Sequence, residues 1–159
     1  MLSVDALRAL LELVPHPIEG GEFVETYRSA DRLPSGRAVS TAIYYLLTPD
    51  TFSAMHRLAS DEIFHFYLGD PVEMLQLWPD GSHRLALIGP DLSAGERPQV
   101  VVPGGVWQGA RLRPGGRYTL LGTTVAPGFD SADYQTAPRS ALLSSHPGAH
   151  TLITALTRE

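Results

Sequence analysis

The chain has 159 residues, 43% of them hydrophobic and 18% charged, with a formal net charge of −5 at pH 7. That is one domain's worth, able to bury a core, and it excludes a disordered chain; the spread-out Arg residues, concentrated only at His83-Arg84 and Arg111-Leu112-Arg113, exclude the basic stripe of a nucleic-acid binder. With no Cys, the fold has no disulfide, thiolate nucleophile or zinc–thiolate site.

The N-terminus "MLSVDALRALLELVP" has no cationic start and no small-residue cleavage site, and no apolar run approaches the roughly 20 residues that span a bilayer. A cytoplasmic protein without membrane or nucleic-acid partners is expected. Residues 3–14 read as an amphipathic helix. Ser3 caps it, Asp5 favours its first turn, and Leu7, Leu10, Leu11 and Val14 make the apolar stripe. Pro15 stops it, and "PHPIEGG" is a loop. That loop is expected to enter the first strand tightly, or else to cover a barrel mouth on Gly20-Gly21 hinges.

From residue 22 to about 129 the pattern is that of strands: "EFVETYR", "AVSTAIYYLL", "EIFHFYL", "VEMLQLW", "HRLALI", "QVVVP", "VWQGARL" and "YTLLGTTV". Gly- and Pro-containing turns separate them. Asp80-Gly81 reads as a two-residue hairpin turn and Gly115-Gly116 as a second. "TVAPGFD" reads as a strand end followed by a type II turn at Pro127-Gly128. Many short strands without intervening helices predict an antiparallel sandwich or barrel. "HPGAHTLITALT" closes the chain as a helix, with Ala149, Leu152, Ile153 and Leu156 at helical spacing. Residues 1–159 read as a single domain.

"DEIFHFYLG" followed by "VVPGGVWQGA" resembles the two motifs of the cupin superfamily. Glu62 and Gly69 have the spacing of the first motif, and His56 stands where its first His belongs. Leu58 replaces the second His, and Gln108 replaces the His of the second motif. "HPIEGGEFVETYRS", "STAIYYLL", "MHRLASDEIFHFYLGDP", "LLGTTVAPGFD" and the closing segment extend the resemblance over nearly the whole chain. They point to a branch of small single-domain cupins without a settled function. The resemblance implies a jelly-roll (double-stranded β-helix) barrel, mainly β, with short terminal helices, and a homodimer.

The candidate site follows from strand parity. Glu62, Phe64, Phe66 and Leu68 share one face; Ile63, His65 and Tyr67 share the other. With Glu62 inward, His65 points out of the barrel, bonded through one ring nitrogen. His56, Glu62 and Gln108 are expected to converge near the barrel mouth. As a metal site this trio is poor: Leu58 ligates nothing and Gln108 offers a weak neutral oxygen, so no cofactor is required. As metal-free chemistry, His56 serves as base, Glu62 orients it, and a Tyr of "IYYLL", assigned to Tyr44, serves as acid. Phe64, Phe66 and Val106 are expected to line an apolar wall, with Gln108 a hydrogen-bonding ligand contact. The expected function is binding of a small polar or carbohydrate-like molecule, with sugar epimerase or isomerase chemistry as the enzymatic form. The alternatives are a non-catalytic binding module and a metal-dependent enzyme. His16, His83, His146 and His150 read as surface or capping residues.

Overall fold

The computed structural model describes residues 2–158. It begins with helix α1 (Val4–Leu11), capped by Ser3, whose side chain accepts from the Ala6 amide. The helix is one turn shorter than the apolar spacing predicts. Glu12 takes a left-handed conformation (φ 55°) and ends it, and Val14 enters a short strand. Leu10 is 67% and Val14 52% exposed, so the buried stripe is Val4, Leu7 and Leu11.

Ten strands follow: β1 (Val14–Pro15), β2 (Glu22–Arg28), β3 (Thr41–Leu47), β4 (Phe52–His56), β5 (Asp61–Gly69), β6 (Val72–Leu77), β7 (His83–Ile88), β8 (Gln99–Val102), β9 (Trp107–Leu112) and β10 (Thr119–Ala126). They form two antiparallel sheets that face each other, β1-β2-β3-β10-β5-β8 and β4-β9-β6-β7. β10 lies between β3 and β5, although it is last in sequence. Such non-sequential pairing across two sheets is the jelly-roll barrel that the sequence led us to expect.

The eight strand segments of the sequence all appear, and β1 and β4 are additions to them. Two turns differ from expectation. The β6–β7 connection runs from Trp78 to Ser82, with Trp78 and Ser82 bonded to each other, so it is wider than a two-residue turn. Gly115-Gly116 joins β9 to β10, which lie in different sheets, so it is a crossing between sheets rather than a hairpin. The corner after β10 carries a cis Ala126–Pro127 peptide, and Gly128 has no positive φ. Helices α2 (Arg139–Ser145) and α3 (His150–Ala155) end the chain; α2 is unheralded by the sequence pattern.

The fold buries three apolar clusters. The barrel interior holds Tyr45, Leu47, Phe64, Val72, Met74, Ile88, Val102, Val106 and Leu121. Outside the four-stranded sheet, Met55, Leu75 and Leu77 pack under α2 and α3. Outside the six-stranded sheet, Leu46, Tyr118 and Leu120 pack under α1. Each sheet thus has its outer face partly roofed by a helix, as alternation of side chains requires.

Candidate functional site

The sequence places His56 at the end of β4, where a register shift between Ser53 and His56 relieves strict alternation. Met55 faces the helices, and His56 turns into the barrel, 2% exposed. Its Nδ1 lies 2.7 Å from the Ala54 carbonyl oxygen. A carbonyl can only accept, so Nδ1 carries the proton and, in the neutral ring, Nε2 keeps its lone pair. Tyr134 stacks on the imidazole at 4.8 Å between centroids and 13° between planes, fixing the ring plane.

Glu62 reaches inward from β5 in the opposite sheet. It accepts a 2.7 Å hydrogen bond from the Gln108 amide nitrogen on β9, and this bond ties the two sheets together. Gln108 is itself the register partner of both His56 and Gln76. Burial raises the Glu62 carboxyl above its ordinary range, and the nearby negative charge of Glu19 adds to this.

A cavity of about 170 Å³ opens beside these groups. His56, Glu62, Glu19 and His16 give it a polar lining; Phe23, Ile43, Leu58, Val125, Phe129 and Tyr134 give it an apolar one. Arg28 and Glu25 also line it, paired with each other at 2.7 and 2.8 Å. Apolar walls with a few convergent polar groups are the make-up of a small-molecule site, and the space is below the ~300–1,000 Å³ of sites for drug-sized ligands.

Glu19 and His16 come from the loop between β1 and β2. Ser53 donates to Glu19 Oε1. The backbone is held equally firmly: Ala54 N–H donates to the Glu19 carbonyl at 2.9 Å, and Arg158 donates to the carbonyls of Ile18 and Glu19 at 2.6 and 2.9 Å. Tyr45 Oη donates to the Gly20 carbonyl at 2.6 Å. Gly20 (φ 101°) could not carry a Cβ, which would fall 2.3 Å from the Phe52 carbonyl oxygen. The loop does cover the barrel mouth, but packed glycines and these bonds make it a fixed wall rather than a hinged cover.

The structure sorts the residues expected from sequence. His56 and Glu62 come together at the cavity. Gln108 does not line it; its amide is spent on Glu62, so its role is to hold that carboxyl. Phe64 and Val106 lie in the sealed core and Phe66 packs against it, so the apolar wall is built from other residues. Tyr44 faces the opposite way, against the α1 cluster and edge-on to Tyr67 at 5.8 Å, and cannot act as acid here. Its neighbour Tyr45 is the inward one, by strand parity. His65 points out of the barrel as expected, 3.2 Å from Thr124 Oγ1. Of the histidines read as surface or capping residues, His16 instead lines the cavity, while His146 does stand at the C-terminal cap position of α2, buried and with Nε2 2.9 Å from the Trp78 carbonyl. The signal for His16 and Glu19 lay in "HPIEGGEFVETYRS", a motif without strand or helix periodicity.

The expected metal trio fits a metal poorly. Gln108 turns its amide nitrogen to Glu62, and Leu58 occupies the wall where a second imidazole would be needed. Among the described residues, no three His, Asp or Glu side chains are grouped to hold an ion.

Barrel, inward glutamate and displaced histidine positions define a cupin. Residues 5–137 match the family described as cupin superfamily (DUF985), and the chain belongs to it. It is similar to the protein SO0799 of Shewanella oneidensis, at 35% identity, with 99% of each chain covered and a TM-score of 0.92. It is equally similar to a hypothetical protein of Leishmania major, at 32% identity, covering 99% of this chain and all of that one, with a TM-score of 0.92. The uncharacterized protein YML079W of Saccharomyces cerevisiae is 33% identical over 140 residues, covering 77% of this chain and 69% of its own. No helix among the described residues is long and apolar enough to cross a membrane.

Proposed function

We propose that the protein binds a small polar, carbohydrate-like molecule in the cavity beside His56 and moves a proton on it, in the manner of a metal-independent sugar epimerase or isomerase. The observation that carries this reading is the bond from His56 Nδ1 to the Ala54 carbonyl. It leaves a basic Nε2 aimed at the cavity, with Glu19 Oε2 3.8 Å away to stabilise the imidazolium once a proton is taken. A base so oriented, in a niche bounded by apolar side chains, is arranged for proton transfer. The donor set described above supports chemistry without a metal.

The test is a ligand-observed NMR screen of small aldoses and ketoses in chelator-treated buffer, followed by titration of any binder against His56→Gln. Binding that weakens at least about tenfold in the variant supports the reading. A panel that binds equally well to both proteins would sink it.

A further inference from the structure

The two cavity histidines are held in opposite tautomers. The Glu19 amide donates to His16 Nδ1 at 2.9 Å, and the Ile18 amide points at the same atom at 3.4 Å. An N–H donor needs a lone pair, so His16 Nδ1 is bare and Nε2 carries the hydrogen. In His56 the reverse holds. Both Nε2 atoms lie within 4 Å of the same oxygen, Glu19 Oε2, at 3.9 and 3.8 Å. The cavity therefore presents one N–H donor and one bare nitrogen, both close to one carboxylate oxygen.

We propose that His16 is a second catalytic residue, and that the substrate is an enolisable α-hydroxy aldehyde or ketone whose carbonyl oxygen is held by His16 Nε2–H while His56 Nε2 takes the neighbouring C–H proton. This rests on the proton-transfer reading of His56 and adds the electrophile that reading lacks. The C–H bond breaks, and its electron pair becomes the C=C bond of an enediolate. The carbonyl π pair moves onto oxygen, where the His16 N–H stabilises it. The proton held by His56 then returns to carbon. Return to the same carbon from the same face restores it; transfer to the adjacent carbon isomerises it, with the hydroxyl proton passing to the former carbonyl oxygen by way of His16 Nε2. No oxidant or reductant is needed.

Two further features favour His16 as a neutral donor. Burial holds its ring below the ordinary histidine range, with Glu19 opposing and His56 and Arg158 assisting. A neutral imidazole N–H stabilises the developing oxyanion by a hydrogen bond and needs no buried cation in the resting site. The ring also packs against Phe23, with centroids 4.8 Å apart, which fixes its plane.

The test follows loss of C–H signal in D₂O by ¹H NMR, with dihydroxyacetone, glyceraldehyde and erythrulose as probes. Wild type is compared with His56→Gln, His16→Phe and His16→Gln. A long-range ¹⁵N–¹H spectrum of the rings is recorded on the same wild-type sample. We expect opposite tautomers, exchange reduced at least about 100-fold in His16→Phe, and partial recovery in His16→Gln, whose amide keeps a donor. Thermal unfolding confirms that each variant is folded, and the Gln variant keeps the test decisive if the Phe variant is not. Exchange that persists in His16→Phe but falls in His56→Gln overturns the role of His16 and leaves the proton-transfer reading standing. The same tautomer in both rings also overturns it. No exchange of any probe by wild type overturns both.

Discussion

The two ends of the barrel interior are made by the same strands and differ in chemistry within two residues. On β5, Glu62 faces the cavity and Phe64 the core; on β10, Thr123 faces the cavity and Leu121 the core; on β3, Ile43 lines the cavity and Tyr45 the core. On β9, Gln108 holds the Glu62 carboxyl and Ala110 lies in the core. Parity decides that all these side chains point inward, and depth along the strand decides whether they border the cavity or pack on one another. A strand can therefore carry structure and chemistry on a single face, with the boundary set by one step of the pleat.

The sharpest contrast is between neighbours on that face. Phe64→Ala should cost about 3–5 kcal/mol in urea unfolding, because the packed end cannot collapse around the lost ring. A loss below about 1 kcal/mol would mean that the two ends are equally loose. His56→Gln, at the other end, should lower C–H exchange of a bound sugar by about 100-fold or more. Its unfolding midpoint should move far less than that of Phe64→Ala.

Acid and base sharpen the comparison further. The folded-state Glu62 carboxyl titrates above the unfolded value of 4.5. Its native state therefore holds a proton that the unfolded chain gives up, and stability present below pH 4.5 drains away as pH rises through the folded value. Glu62→Gln should differ least from wild type below pH 4.5, gain on it as pH rises through the folded value and level off above that, by thermal unfolding. His16 behaves oppositely. Its folded value lies below 6.5, so its contribution is complete above pH 6.5 and lost as pH falls through the folded value. His16→Gln should flatten the acid limb of the stability profile. The smallest effect belongs to the outer face: His65→Ala removes a half-buried contact to Thr124 and should cost no more than about 1 kcal/mol, with sugar exchange unchanged.

The barrel was legible because alternation and Gly-Pro turns mark strands one at a time. β4 escaped because "FSAMH" is short, and the register shift between Ser53 and His56 breaks its alternation. Gly115-Gly116 misled because a turn signal does not say which sheet the next strand joins. His56 and Glu62 were legible from motif spacing, and the failure of Gln108 as a ligand contact was not, since its partner lies 46 residues away. His16 and Glu19 sit in a loop, where nothing periodic announces a direction. Glu19 meets Ser53 across 34 residues, a proximity only the closed barrel creates. The tyrosine pair shows the limit plainly: alternation separates Tyr44 from Tyr45, and only the packing of α1 tells which one faces out.

Ala54 contributes no side-chain chemistry, yet its amide holds the Glu19 carbonyl and its carbonyl holds the His56 ring. One residue's backbone thus anchors loop and imidazole alike. The Ala54 amide proton is consequently a gauge of the wall: in a loop held this firmly its exchange with solvent should be slow, as in the core strands.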